Sequence, residues 1–357
     1  MKMNSAHLLF VTFLLLMYCS VSFTWSSSIS SILPVKGPIL QPELFESLAN
    51  GAQKAMRACQ TVFKWDKWNC PESSFSRRIK EKATKEQAVV HAMLSAGLVH
   101  SVTKNCSKGI LKGCGCNPQL RGLSQTNPKY ITSSRLIRPK EHSNKKIKVE
   151  WSWGGCSDDV EYGQSLAKKV LDGLEIGNYS KSYANLHNNL VGRTIIRNTM
   201  IKKCKCHGVS GSCSLQTCWM HIAPFHKIAK VIRQRYKKAV KINVENRASD
   251  SMSSSSITKI SDISKHQLAF IETSPDYCLA DSSMGWPGTK GRPCSRSRTE
   301  TSTRLEKRSC KNLCRHCGHK VRRYKREIKM NCNCSFKWCC EVKCDICTET
   351  VVEFFCD

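Results

Sequence analysis

Acidic residues are scarce in this sequence. Twenty-seven Asp and Glu face 57 Lys and Arg, a formal net charge of +30. Such an imbalance predicts attraction to polyanions of any kind. Long apolar runs are scarce too. The one present, Leu8 to Val21, follows the basic start Met1-Lys-Met and precedes small residues such as Ser22. It is shorter than the ~20 residues a membrane span needs and reads as a secretory signal peptide, residues 1–24. No later segment is apolar enough to span, so the mature chain is expected to be exported, to the extracellular space and matrix, without a protein anchor. There the abundant polyanions are sulfated glycans and membrane surfaces, not nucleic acid. No internal repeat is present.

Cysteine, by contrast, is abundant. Of 23, Cys19 lies in the signal peptide, which leaves an even 22 in the mature chain. In an oxidising compartment an even count predicts disulfides, eleven at most, with a pairing that spacing alone does not fix. Residues 266–357 hold 12 of them and few apolar runs, so bridges must stabilise that part. Aliphatic and aromatic residues elsewhere suffice for an ordinary core.

Apolar residues at three- and four-residue steps, such as Ala88, Val89, Ala92, Met93 and Leu98, predict helices at 41–64 and 80–104. Further helices are predicted at 159–175, 183–203 and 224–242. In the last, Ile228, Val231, Ile232 and Tyr236 make the inward stripe. Its other face carries Lys227, Lys230, Arg233, Arg235, Lys237, Lys238 and Lys241. The chain therefore reads as a helical domain over 25–248, a serine-rich linker over 249–265 and a cysteine-rich domain over 266–357. Short runs with alternate cysteines, Cys332-Asn-Cys334 and Cys344-x-x-Cys347, predict β-hairpins in that last part. Residues 117–150 read as a basic loop, with Arg135, Arg138, Lys140, Lys145, Lys146 and Lys148. Asn105-Cys-Ser and Asn178-Tyr-Ser are usable N-glycosylation sequons, and a third, Asn333-Cys-Ser, lies among dense bridges.

Cys314-x-x-Cys317 and Cys344-x-x-Cys347 have the spacing of zinc ligands. In an exported chain with an even cysteine count they read as disulfides, and no metal site is expected; His207 and His319 read as structural. Gly208-Val-Ser-Gly-Ser resembles a nucleophile elbow only loosely, because Ser212 stands where that motif needs glycine. No carboxylate follows to orient His207, so no catalysis is expected. The same stretch makes better sense as a mount. Cys204 and Cys206 are two apart and point to one face of a strand. Cys213 and Cys218 return beyond Gly208 and Gly211, which supply backbone freedom at the tip. A nested pairing, Cys204 with Cys218 and Cys206 with Cys213, would close the hairpin twice. Ser210 would then stand exposed on a stiff arm, where an enzyme could find its hydroxyl and modify it.

This segment resembles the signature of the Wnt family of secreted signalling proteins. Other blocks agree over nearly the whole mature chain: Cys59…Phe63…Trp68-Asn-Cys70, Trp153-Gly-Gly-Cys-Ser-Asp158, Asn188-Asn…Gly192-Arg193, Ser274-Pro-Asp-Tyr-Cys278, Gly288-Thr…Gly291-Arg…Cys294, Cys310…Leu313-Cys314 and Phe336-Lys-Trp-Cys-Cys340. The similarity is closest to the subgroup numbered eight. The resemblance implies a two-domain hand: a mainly α N-terminal domain with a disulfide-stapled "thumb" hairpin, 204–218, and a small cysteine-rich domain with an "index finger" hairpin, 332–347. It implies a palmitoleoyl chain on Ser210, added by a membrane acyltransferase of the Porcupine type, and no other cofactor. It also implies export by the carrier Wntless. Outside, Val209, Ser210 and Gly211 at one tip and Phe336, Trp338, Cys339, Cys340 and Val342 at the other would grip a Frizzled cysteine-rich domain. A low-density-lipoprotein-receptor-related co-receptor would join, with β-catenin output. Heparan sulfate proteoglycans are expected partners of the basic helix and loop.

By the family pattern the bridges are Cys59–Cys70, Cys106–Cys114, Cys116–Cys156, Cys204–Cys218 and Cys206–Cys213. In the C-terminal part they are Cys278–Cys317, Cys294–Cys310, Cys314–Cys356, Cys332–Cys347, Cys334–Cys344 and Cys339–Cys340. Four features depart from the pattern: Lys67 in place of arginine, a longer and more basic Cys116–Cys156 loop, Cys314 and Cys317 separated by two residues, and a higher charge. Two other classes compete with a signalling ligand. One is a matrix protein that binds heparan sulfate through the basic helix and loop; the other is a secreted serine hydrolase acting through Ser210.

Overall fold

The structure, a computed structural model, describes residues 41–76, 82–117, 150–175, 179–213, 215–242, 263–297 and 299–357. The signal peptide, Asn178 and almost all of the basic loop and the serine-rich linker lie outside them. The chain divides into two compact units. The first comprises residues up to Cys59 together with Ser74–Ser274; the second comprises Gln60–Ser73 and Pro275–Asp357.

The first unit is built around one buried helix. Helix α1 is Pro42–Val62, whose last three residues belong to the second unit, and α2 is Lys85–Ser107. Thr84 caps α2 by accepting from the Gln87 N–H, which satisfies one orphan donor of the first turn. Almost every side chain of α2 from Glu86 to Thr103 is buried, so neighbours surround it on all sides. Those neighbours include α3 (Val160–Asp172), α4 (Tyr179–Asn198) and α5 (Phe225–Lys237). Asp159 caps α3 through the Tyr162 N–H. α4 passes so close to α2 that a Cβ on Gly192 would lie 2.2 Å from the Ala92 carbonyl oxygen. Only glycine allows that approach.

Polar side chains lock the helices. Arg193 donates two hydrogen bonds, of 2.9 and 3.0 Å, to the two Asp172 oxygens, and Asn189 adds a third. Buried Asn188 both donates to and accepts from the backbone of Ala269. This ties α4 to the parallel pair of short strands β4 (Val240–Lys241) and β5 (Ala269–Phe270). The three-stranded sheet of this unit has β3 (Leu215–His221) at its centre. β1 (Glu150–Trp153) pairs with it in parallel and β2 (Ile201–Cys206) antiparallel.

The predicted helix 183–203 is corrected here. α4 begins at Tyr179 and ends at Asn198. Ile201–Cys206 is a strand because each of its residues pairs with β3, from Ile201 opposite His221 to Cys206 opposite Gln216. The helix predicted over 224–242 likewise stops at Lys237, and Val240–Lys241 turns into a strand.

The second unit has a small core of Cys294, Cys310, Leu313, Cys314 and Cys356, with Trp65, Val321 and Phe354 against it. Bridges Cys294–Cys310, Cys314–Cys356 and Cys278–Cys317 hold it, as a chain stretch with so few apolar residues requires. Buried Arg292 donates to the Lys64 and Lys67 carbonyls. Those bonds use the backbone of residue 67, so they do not depend on its being lysine or arginine. β6 (Pro293–Cys294) pairs with the far end of β8 (Glu341–Cys356), which forms a long antiparallel hairpin with β7 (Val321–Lys337). The predicted hairpin 332–347 is thus the outer half of a longer one.

Cys339 and Cys340 are not bonded to one another; both are free and exposed. Adjacent cysteines can join only through an eight-membered ring that strains the planar peptide between them. This differs from the pairing that the resemblance implied.

Candidate functional sites

Each unit presents one exposed tip. In the first, β2 and β3 run antiparallel with Cys204 opposite Cys218. A disulfide joins that pair, and a second joins Cys206 to Cys213. Beyond them the chain makes a tight turn. The Gly208 N–H donates to the Ser212 carbonyl at 2.8 Å, and the Gly211 N–H returns to the Gly208 carbonyl at 2.9 Å. Two staples and three backbone bonds at the turn leave little freedom there. Ser210 sits at the apex with φ 55° and ψ 28°, followed by Gly211 at φ 76°. A left-handed backbone is uncommon for serine. Ser210 is exposed, and beside it Val209 is 89% exposed.

The root of this hairpin is fixed by a buried ion pair. Asp158, 2% exposed, accepts from Lys104 Nζ at 2.5 Å, Ser107 Oγ at 2.6 Å and the Ile222 N–H at 2.7 Å. His221 Nδ1, from the last residue of β3, lies 3.0 Å from the same carboxylate. Burial would raise the Asp158 carboxyl, but its bonds from Lys104, Ser107 and Ile222 outweigh this and hold it below the usual carboxylate range. Burial lowers both Lys104 and His221 from their ordinary values. The knot therefore clamps the end of β3 to α2. The Cys116–Cys156 and Cys106–Cys114 bridges lie in the same region of the chain.

In the second unit, β7 and β8 end in a turn of Trp338, Cys339 and Cys340. Cys339 and Cys340 both have positive φ, 72° and 80°. Bridges Cys332–Cys347 and Cys334–Cys344 staple the strands just behind it. A bulge between Cys332 and Ser335 holds Asn333 at φ 48° and adds local twist. The tip is apolar and bare: Phe336 is 67%, Val342 62% and Trp338 96% exposed. Monomers seldom leave such a cluster uncovered without a partner for it. Ile346 and Met330, further down the hairpin, are exposed too; the cysteine pattern gave no signal for these two.

The other predicted positions are placed as follows. Asn105 lies in the last turn of α2, and its side-chain amide donates to Ser47 Oγ at 3.0 Å. Cys314 and Cys317, and Cys344 and Cys347, each bond to a cysteine outside their own pair. The buried sulfurs of Cys294, Cys314 and Cys356 lie within 4.8 Å of one another, but all three are in disulfides and offer no thiolate. Cys59 and Cys70 are disulfide-bonded and buried. Along α5, Lys227, Lys230, Gln234, Lys237 and Lys238 are exposed, while Phe225, Ile228, Ala229 and Ile232 face inward. His207 is exposed at the edge of the first tip.

The wnt family model matches residues 39–357. Protein Wnt-8 of Xenopus laevis is 37% identical over 98% of this chain and 93% of its own length. Protein Wnt-8a of Homo sapiens is 38% identical over 98% and 95%. Among solved structures, a chain of the human WLS complex with WNT8A aligns with a TM-score of 0.64 and 35% identity, over 92% of this chain and 99% of that one. A helical N-terminal part with a β-hairpin C-terminal part, a family match over residues 39–357 and relatives of one subgroup agree: the chain belongs to the Wnt family of secreted signalling proteins.

Proposed function

We propose that this protein is a lipid-modified secreted ligand whose two tips grip a Frizzled cysteine-rich domain. The observation that carries the reading is the Ser210 apex: a left-handed, exposed serine on a hairpin stapled by Cys204–Cys218 and Cys206–Cys213. In this reading Ser210 bears a palmitoleoyl chain added by a Porcupine-type acyltransferase. Burying each methylene contributes ~0.8 kcal/mol, so about fourteen contribute on the order of 10 kcal/mol at most. Val209 and Gly211 flank the lipid and would touch the receptor with it. Phe336, Trp338, Val342 and the Cys339-Cys340 turn form the second grip, since aromatic anchors in pockets dominate interface energies.

A chain with such a lipid needs a carrier in water. The similar structure holds WNT8A with WLS, and the same carrier would export this protein. A low-density-lipoprotein-receptor-related co-receptor completes the signalling complex, with output through β-catenin. Asn105 and Asn178 carry N-glycans; at Asn105 attachment would precede the packing of its amide against Ser47. The exposed lysines of α5 and the basic 117–150 loop attract heparan sulfate. The domain reading of 25–248 and 266–357 around a 249–265 linker differs from the compact units, which part between Ser274 and Pro275 and include 60–73 in the second.

Intact mass and peptide mapping of protein secreted by mammalian cells test this. A fatty ester on the 204–218 peptide supports the reading. An unmodified Ser210 in signalling-competent protein would overturn it.

A further inference from the structure

We propose that Asn333, on the β7–β8 hairpin, carries an N-linked oligosaccharide. The triplet Asn333-Cys334-Ser335 meets the acceptor pattern, which needs a hydroxyl two residues after the asparagine. The dense bridges around it would prevent glycosylation if they buried the asparagine or closed before the sugar arrived. Neither condition holds.

The register of β7 jumps from Cys332 opposite Asp345 to Ser335 opposite Lys343. Asn333 and Cys334 together therefore oppose the single residue Cys344, the arrangement of a β-bulge. Asn333 is exposed, as are Cys334 and Ser335, and its φ is 48°. Asparagine is one of the few residues that adopt a left-handed backbone readily. Its side-chain amide has no hydrogen-bond partner among the described residues. Asn105, the other described sequon, contrasts with it. That residue is half-buried in α2, and its amide nitrogen is bound to Ser47 Oγ at 3.0 Å. A bulky sugar needs a free amide nitrogen with open space beyond it. Asn333 supplies both with no rearrangement of the folded chain.

The order of the bridges favours the sugar as well. Cys332 bonds to Cys347 and Cys334 to Cys344, partners that lie 15 and 10 residues further along the chain. A chain entering the secretory route N-terminus first presents Asn333 before either partner has arrived, so the triplet is still unbridged. The donor is an oligosaccharide joined to a lipid diphosphate, and an oligosaccharyltransferase performs the transfer. The Asn333 amide nitrogen attacks the anomeric carbon of the terminal sugar and forms a C–N bond. The bond from that carbon to the diphosphate oxygen breaks, and the lipid diphosphate leaves with the electron pair. The amide gives up one proton to a base of the enzyme.

Once the strands close, the sugar stands at the bulge. Asn333 is three residues from Phe336, 336 minus 333, which at ~3.4 Å per strand residue is about 10 Å. Trp338 and the Cys339-Cys340 turn lie further out, so the apolar tip stays bare. Inward of the bulge, Asn331 pairs with exposed Ile346, and Met330, also exposed, pairs with Cys347. A glycan on Asn333 borders these two apolar side chains and gives them a solubilising neighbour. The proposal rests on the export reading above and on no other part of it; the acyl chain at Ser210 plays no role.

The test uses the full chain expressed in mammalian cells, both secreted and cell-retained. Digestion with an N-glycosidase in heavy-oxygen water, followed by peptide mapping, should place the heavy oxygen on most copies of the peptide that spans Asn333. Label on only a minority of that peptide would overturn the proposal. A second measurement uses Asn105→Gln with Asn178→Gln, which leaves Asn333 as the only sequon. Its electrophoretic mobility should still shift on N-glycosidase treatment. Adding Ser335→Ala should abolish the shift, and adding Ser335→Thr instead should keep it. Ser335→Ala retains Asn333 and removes only a 3.5 Å contact from Ser335 Oγ to the Lys343 carbonyl, so the hairpin should fold as before. A shift that survives Ser335→Ala would overturn the assignment to this sequon. Ser210→Ala protein should carry the same glycan, so a failure of the lipid reading and a failure of this one are read separately.

Discussion

Phe336 stands directly opposite Val342 across the β7–β8 ladder, one residue pair from the Trp338 turn, and both side chains are more than half exposed. Directly opposed apolar residues support each other, yet here the pair has no third layer above it. A receptor pocket would supply that layer. Trp338→Ala and Phe336→Ala are each expected to weaken binding to a Frizzled cysteine-rich domain by about 30-fold or more, the range of an anchor residue. Both variants should be secreted with the Ser210 ester intact. Biolayer interferometry with the isolated receptor domain checks this, and affinities within twofold of the parent would remove the tip from the interface.

Folding of the first unit should depend on pH through His100. The ring is 7% exposed, lies 3.4 Å from Lys54 Nζ and packs edge-on to Phe225. Burial first, then the charges of Lys54 and Lys104, lower its pKa from 6.5 to about 3. The unfolded chain therefore takes up a proton near pH 6.5 that the folded chain refuses. This contribution to stability is complete above that pH and falls as pH drops from 6.5 toward 3. At pH 5 the loss is about 2 kcal/mol. Thermal unfolding of His100→Gln should show a flatter profile than the parent between pH 7.5 and 5; identical slopes would contradict this.

Gly192→Ala should damage folding without touching either tip. Its Cβ would meet the Ala92 backbone, which cannot swing aside as a side chain could. A cost of about 1–3 kcal/mol is expected, seen as a lower unfolding midpoint and reduced secretion. A midpoint equal to the parent's would show that α2 and α4 can separate without penalty.

Much of the fold was legible because its causes are local. Apolar spacing marked all five long helices, and the glycines and cysteines of 204–218 marked the stapled hairpin. Other features depend on distant partners. The segment 201–203 reads as helix until β3 claims its backbone. The inner half of the β7–β8 hairpin shows no apolar alternation, because β7 is exposed along most of its length and carries charges such as Arg323 and Lys325, while successive residues 351–355 of β8 are all half-buried. Nor could cysteine density show that β5, at Ala269–Phe270, belongs with β4 in the first unit. At the sites, Ser210 and Trp338 stood out in the sequence.

The lipid proposed at the Ser210 apex is tested most directly by receptor affinity with and without its attachment point. Ser210→Ala, recovered from cell extracts if export fails, should retain the parent's disulfides and unfolding midpoint. Its affinity for a Frizzled cysteine-rich domain should fall by a factor on the order of 1,000 or more, as loss of even half the methylene contribution implies. An affinity within threefold of the acylated parent would contradict the account.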